Sequence, residues 1–175
     1  DILFYGSLNE KRAKVLEALR EKGLSVVELF GEYGAERDQA IARAKIVLNI
    51  HLYEAQIFEI VRVSYLLANH KFVLSESSPN DPDAEAFKDG VAFVDCDHMV
   101  EACLTFLQNP QERQRIAEAG FQLMTQRSET AFLREALQNE QPPPGNLVRV
   151  DLGCGARKAP CFIGVDIFPA PGVDI

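Results

Sequence analysis

Ile46-Val47-Leu48-Asn49-Ile50-His51 is followed by Gln56-Ile57-Phe58-Glu59-Ile60-Val61-Arg62-Val63-Ser64-Tyr65-Leu66-Leu67-Ala68 and then by Phe72-Val73-Leu74-Ser75-Glu76. A short apolar run, a longer run with helical spacing and a second short apolar run read as strand, helix, strand. Two strands joined in this way lie parallel with a right-handed crossover. Ligands of such open sheets bind beyond the carboxyl ends of the strands. Here those ends carry Asn49, His51, Ser75 and Glu76, so the chemistry is expected there.

Towards the N-terminus, Ile2 to Tyr5 reads as a strand that ends at Gly6. Ser7-Leu8-Asn9-Glu10 then matches a capping box, which predicts a helix opening directly after the strand, with Gly23 at its C-terminal cap. Such a turn aims the amides and positive dipole end of the helix at whatever lies above the strand, an arrangement suited to phosphate. Ser25 to Phe30 is a second strand, Gly31 to Gly34 a turn, and Glu36 to Ala44 a short helix leading into Ile46. Beyond Glu76 come a loop (Ser77 to Asp83), a short strand (Val91 to Val94) and three helices, Met99 to Gln108, Gln111 to Gln126 and Glu129 to Asn139. This order predicts an α/β fold, a Rossmann-like parallel sheet with helices on both faces, closed by C-terminal helices.

Gln141-Pro142-Pro143-Pro144-Gly145-Asn146 reads as a linker, since consecutive prolines cannot continue a helix. The pattern then restarts. Leu147 to Leu152 is a strand running into Gly153-Cys154-Gly155, and Phe162 to Asp166 is another, the opening of an incomplete second Rossmann-like unit. The expected division is a domain over residues 1–139, a Pro-rich linker over 140–146 and the start of a second domain over 147–175. With a strand at residue 1 and no initiator Met, the sequence reads as cut from something longer.

A chain of 175 residues with 47% hydrophobic content can bury a substantial core, and a net charge of -8 argues against a nucleic-acid footprint while leaving local basic patches open. No apolar run has the length of a bilayer span, so no transmembrane segment is expected. Cys96, Cys103, Cys154 and Cys161 form neither a CxxC pair nor a zinc-like Cys/His spacing, and read as reduced thiols of a cytoplasmic protein without a metal site.

Several side chains are candidates for ligand contact, each with an ordinary alternative. Gly6 and Ser7 suit a diphosphate cradle, or form a plain turn and cap. Lys11 and Arg12, one turn into the first helix, reach phosphate oxygens or are solvated. Asn49 and His51 alternate with Ile50 and so share one side of their strand. Gln56, Glu59 and Arg62 recur every three residues as a narrow polar stripe on an apolar helix, facing a cleft or pairing with one another. Glu76 follows a strand and suits sugar or ribose hydroxyls, or caps the next loop. His70 and His98, at a helix end and a helix start, read as structural.

Residues 1 to about 139 resemble the C-terminal, donor-binding domain of GT-B glycosyltransferases of the group 1 type. The resemblance lies in FYGSLNEKR, KIVLNIH, IFEIVRVSYLLA, FVLSE and NPQERQRIAEAG. It implies a nucleotide-diphosphate sugar as donor, no tightly bound metal, and an N-terminal acceptor domain outside this sequence that would receive a glycan or other acceptor. Donor contacts would fall on Gly6, Ser7, Arg12, Asn49, His51, Glu59, Arg62 and Glu76, with no catalytic residue assigned. Many such enzymes carry two glutamates eight positions apart around this helix, the second holding the ribose. Tyr65 stands near the second position here, and neither Glu54 nor Glu59 has a glutamate eight residues later.

VDLGCG and FIGVDI resemble the start of a class I methyltransferase. That implies S-adenosylmethionine contacts at Gly153 and Gly155 for close approach and at Asp166 for the ribose, with Asp151 orienting the turn. The expected object is therefore a fragment of a multidomain enzyme acting on surface glycans. Two other readings stand beside it: a non-catalytic binding module that keeps the fold without donor recognition, and an epimerase-like enzyme acting on a nucleotide sugar.

Overall fold

Alternation along the first strand sends Ile2 and Phe4 to one face of a sheet and Leu3 and Tyr5 to the other, and both faces are covered. The computed structural model describes residues 1–79, 81–139, 150–152 and 163–165, divided between two units, Asp1–Glu129 and Thr130–Ile175. In the first unit β1 (Ile2–Tyr5), β2 (Val26–Leu29), β3 (Ile46–Asn49), β4 (Val73–Glu76) and β5 (Ala92–Val94) form one parallel sheet in the order β2-β1-β3-β4-β5. This is the Rossmann-like α/β sheet that the element order predicts.

The intervening helices are α1 (Glu10–Glu21), α2 (Gly34–Arg43), α3 (Ile60–Ala68) and α4 (Pro82–Phe87), followed by α5 (Met99–Gln108) and α6 (Pro110–Gln126). Phe4, Ile46, Leu48 and Leu74 pack against Leu16 and Leu19 of α1, Met99 and Cys103 of α5 and Ile116 of α6. Leu3, Val47 and Val73 pack against Ile41 of α2, Val63, Leu66 and Leu67 of α3 and Phe87 of α4. Strands buried on both faces have no solvent side, which is why β3 opens with Ile46-Val47-Leu48 and β4 with Val73-Leu74. Burial also pushes the Cys103 thiol up to about 12, so it packs as a small apolar group.

Besides small offsets at α2, which opens at Gly34 and not Glu36, and at α6, which opens at Pro110 and not Gln111, three helix starts differ from the sequence expectation. α1 is capped by Asn9, whose Oδ1 accepts the Arg12 N–H at 2.9 Å, and not by a Ser7–Glu10 box. The Asn9 amide also donates to Leu52 O at 2.8 Å, so the cap is chosen by a tertiary contact that the local motif does not contain. α3 begins at Ile60, not at Gln56, because Gln56 sits at φ 49° in the left-handed region. Gln56 and Glu59 therefore do not share a helical stripe with Arg62. α4 occupies part of a segment expected as loop: Asp81 accepts N–H groups from Asp83 and Ala84, and Pro82 supplies the first helical position.

The second unit holds all of α7 (Glu129–Asn139) but its first residue, followed by β6 (Val150–Leu152) and β7 (Ile163–Val165), which pair in parallel with Asp151 opposite Gly164. The sequence places a linker at 140–146, whose residues lie outside the described ones, as do Gly153, Gly155 and Asp166. Among the described residues no helix is long and apolar enough to cross a membrane.

Candidate functional site

The strand order reverses at β1, which has β2 on one side and β3 on the other. Chain leaving β1 and chain leaving β3 therefore diverge at their carboxyl ends and leave a crevice between them. Gly6 continues β1 into it, donating its N–H to Leu29 O at 3.0 Å with φ +131°. A Cβ at this position would stand 2.9 Å from Arg62 Nη2. The glycine thus leaves room for the Arg62 guanidinium, which lies 5.0 Å over the Tyr5 ring and puts Nη1 3.5 Å from Asn49 Oδ1.

The pleat of β3 sends Asn49 and His51 to the α3 side together with Val47. There they meet Glu59, the residue just before α3. Glu59 Oε2 accepts from Asn49 Nδ2 at 2.8 Å and lies 3.1 Å from His51 Nδ1. Asn49 also donates to Ser75 Oγ at 3.1 Å, while His51 Nε2 contacts Ser78 Oγ at 2.9 Å and Ser77 O at 3.3 Å. His51 is 1% exposed, so its ring is held on both nitrogens inside the protein. Burial alone pulls its pKa down, but the hydrogen bond and charge of Glu59, with Glu76 and the Ser77 carbonyl, outweigh it and raise it above the ordinary value. For Glu59 burial acts upward, and the hydrogen bonds from His51 and Asn49 outweigh it, holding the carboxyl below its usual range. Both shifts run in the direction that favours an ion pair between His51 Nδ1 and Glu59 Oε2.

Arg12 and Glu76 take positions that sequence alone does not indicate. The buried Arg12 guanidinium donates through Nε to Ile50 O at 2.8 Å, through Nη2 to the same oxygen, and through Nη1 to Ser7 O at 2.7 Å, with Glu59 Oε1 at 3.5 Å. It ties the chain after β1 to the chain after β3, so most of its donors are spent inside the protein. Glu76 shares its side of β4 with Leu74, the α1 side, and its carboxylate takes Lys11 Nζ at 2.8 and 2.9 Å and the His51 N–H at 2.9 Å. One residue of parity places it behind the crevice, with Lys11 neutralising it.

The crevice is a cleft of about 880 Å³, within the usual range for a small-molecule site. Of the sequence candidates, Ser7, Arg12, His51, Glu59 and Arg62 line it; Gly6 and Asn49 lie against Arg62, and Glu76 does not reach it. Tyr5, Arg37 and Tyr65 also line it. Nothing local in the sequence pairs Arg37 of α2 with position 65, and only the packing of α2 beside α3 brings them together. Burial pushes the Tyr5 phenol up, which keeps it a neutral hydrogen-bonding group. Arg12, Arg37 and Arg62 line the cleft with Glu59 as the carboxylate among its lining residues, Asp38 pairing with Arg37 from beside it, so the lining carries more cationic than anionic side chains within a chain of net charge -8. Among the described residues no group of His, Cys, Asp and Glu is arranged to hold a metal ion. A separate hollow of about 610 Å³ lies between Ser78, Asp81, Lys88 and Phe93.

Comparison with known proteins agrees with this fold. Two solved structures share the fold: TarM, at TM-score 0.53 and 16% identity over 79% of this chain and 28% of its own, and the C-terminal domain of a glycosyl transferase group 1 family protein (LpcC) from Francisella tularensis. The latter has TM-score 0.52 and 12% identity, covering 72% of this chain and 84% of that one. Among curated sequences, the Acanthamoeba polyphaga mimivirus proteins named uncharacterized protein L137 and L140 are 30% and 29% identical over 112 residues, 62% of this chain. The aligned stretch spans 15% of L137 and 37% of L140, so the chain corresponds to a minor part of these relatives. The family model described as glycosyl transferase-like matches residues 11–132, from the first turn of α1 into α7, and thus takes in nearly every element that builds the cleft. With the greater part of its length matched by that model, the chain belongs to the glycosyl transferase-like family, and its sheet is the Rossmann-like half of a GT-B fold.

Proposed function

We propose that the cleft holds the diphosphate of a nucleotide-activated sugar and that the chain is the donor-binding part of an enzyme of glycosyl transfer. The observation that carries this reading is a cationic cleft at the switch point of an acidic α/β domain. Arg62, stacked on Tyr5 over the Cβ-free surface of Gly6, is placed to fork onto phosphate oxygens. The first residues of α3, Ile60 and Val61, line the same wall and present the positive end of the helix dipole. In glycosyl transfer the bond from the anomeric carbon to the diphosphate oxygen breaks as the acceptor oxygen attacks. Charge gathers on the leaving diphosphate, where Arg62 and the amino end of α3 stabilise it. The acceptor, a glycan in this reading, would be held by an N-terminal domain outside this sequence.

Isothermal titration with nucleoside diphosphates and inorganic pyrophosphate tests the site. The expected result is saturable binding that Arg62→Ala weakens by at least about tenfold, the usual worth of a hydrogen bond between charged groups. The absence of binding would favour a non-catalytic module, the reading that Tyr65 in place of a second glutamate suggests.

For the second unit the proposal is the start of an S-adenosylmethionine-dependent methyltransferase. The parallel pairing of β6 with β7, with Asp151 in β6, supports it. Equilibrium dialysis with S-adenosylmethionine decides it: binding lost in Asp166→Ala supports the assignment, and no binding leaves the two strands without a ligand.

A further inference from the structure

We infer that Asp81 is a positioning residue for the cleft: through the Phe58 N–H its carboxylate sets the direction in which the chain enters α3, and with it the amino end of that helix. The inference rests on the diphosphate reading of the cleft and names what holds the helix end which that reading uses. α3 opens without a side-chain cap, because Glu59, the residue in the capping position, turns its carboxylate to Asn49 and His51 instead. Ile60, Val61 and Arg62 of the first turn line the cleft. Something other than a local cap must therefore orient this turn.

Phe58 supplies the point of attachment. Its ring is buried, 5.8 Å from the Phe87 ring of α4 and 5.5 Å from the Phe93 ring of β5. Such packing is non-directional: it holds the residue in place but leaves the peptide plane before it free to turn. Asp81 Oδ2 removes that freedom by accepting the Phe58 N–H at 3.0 Å from 23 residues further along the chain. Phe58 O in turn accepts the Ile60 N–H at 2.9 Å, which passes the orientation on to the first residue of α3. Oδ1 of Asp81 has a separate task, accepting the Asp83 N–H at 2.9 Å and the Ala84 N–H at 3.3 Å as the cap of α4. The Phe58 bond also holds the Asp81 carboxyl below its usual range, which keeps it a charged and therefore stronger acceptor. Just upstream, Ser78 Oγ meets His51 Nε2 at 2.9 Å, so one stretch of chain braces both the end of β3 and the start of α3. Asp81 lines the neighbouring hollow and not the cleft, so it acts on a ligand only through Phe58.

The test is isothermal titration of the 175-residue chain with inorganic pyrophosphate, using variants that separate the two oxygens. Asp81→Ser keeps a capping oxygen for α4 but is too short to reach Phe58 as well. It is expected to raise the Kd roughly tenfold, the worth of a well-aimed helix end toward an anion, and to speed hydrogen exchange at the Phe58 amide. Asn109→Ala is the control. It strips α6 of the bond from the Glu112 N–H to Asn109 Oδ1 at 3.1 Å, a loss of stability away from the cleft, and is expected to leave the Kd within about twofold. Should Asp81→Ser not fold, Asp81→Asn keeps the shape, caps α4 through its oxygen and turns an amide nitrogen to the Phe58 N–H, with the same weakening expected. An unchanged Kd in the Asp81 variant, or equal weakening in Asn109→Ala, refutes the positioning role while the diphosphate site stands. If the unaltered chain does not bind pyrophosphate, both the site and the role of Asp81 are overturned.

Discussion

Gly90→Ala is expected to lower the unfolding free energy by about 3 kcal/mol, a large share of the roughly 5–15 kcal/mol that holds such a domain together. A Cβ on Gly90 would stand 2.4 Å from Gly120 Cα, 2.8 Å from Gly120 N and 3.0 Å from Leu123 Cδ1. The first two are backbone atoms in the middle of α6, so no side-chain rotation relieves the clash and the helix itself must shift. That helix carries Ile116 and Ala117 into one core, and Gly120 touches Leu67 of α3 in the other, so the strain spreads to both faces of the sheet. Gly23→Ala is the comparison. Nothing lies within 4 Å of its Cβ position and only φ +76° opposes the substitution, a cost of about 1 kcal/mol. Urea unfolding followed by circular dichroism measures both. A Gly90→Ala loss no larger than that of Gly23→Ala would show that the glycine contact does not fix α6.

Glu59→Ala is expected to cost about 2 kcal/mol near pH 6 and to change how stability responds to pH. The carboxylate accepts from Asn49, holds the buried His51 and stands against buried Arg12, and its side chain is 27% exposed. Removing it takes an acceptor from Asn49, His51 and Arg12 together, a loss softened by the water that already reaches the position. The two members of the pair act on opposite arms of the pH curve. His51 has a folded-state pKa above its ordinary 6.5, so its stabilisation is present below that value and is lost as pH rises through the folded value. Glu59 has a folded-state pKa below its ordinary 4.5, so its stabilisation is present above that value and is lost as pH falls through the folded value. The pair contributes fully between about 4.5 and 6.5. Urea midpoints from pH 4 to pH 9 should fall on the alkaline side in the unaltered chain and flatten in Glu59→Ala. Parallel profiles for the two would contradict the ion pair.

The sheet was legible because its central strands are buried on both faces: a run such as Ile46-Val47-Leu48 admits few other readings, and the alternating helices then dictate parallel pairing. Asn49, His51, Glu59 and Arg62 were legible as a group because the chain leaves β3 and returns along α3, so a local stretch supplies most of the site. What sequence did not show depends on long-range packing. Asn9 displaces Ser7 as the helix cap through its bond to Leu52 O, 43 residues away. Arg12 turns inward because the Ile50 carbonyl, freed at the end of β3, needs a donor. Glu76 faces α1 through the parity of a strand whose first residue the apolar pattern does not fix. Arg37 reaches Tyr65 only because β2 and β3 flank β1 and bring α2 alongside α3.

The claim on which the functional account depends is that the ligand sits at the carboxyl ends of β1 and β3. Amide chemical-shift mapping of the isotope-labelled chain, titrated with the nucleoside diphosphate that binds it most tightly, addresses that location directly. The account predicts saturable shifts at Gly6, Ser7, Arg37, His51, Tyr65 and the first turn of α3, with the hollow around Asp81 and Lys88 unperturbed. Saturable shifts centred on Asp81 to Lys88, or on the amino ends of the strands, would place the ligand elsewhere and contradict it.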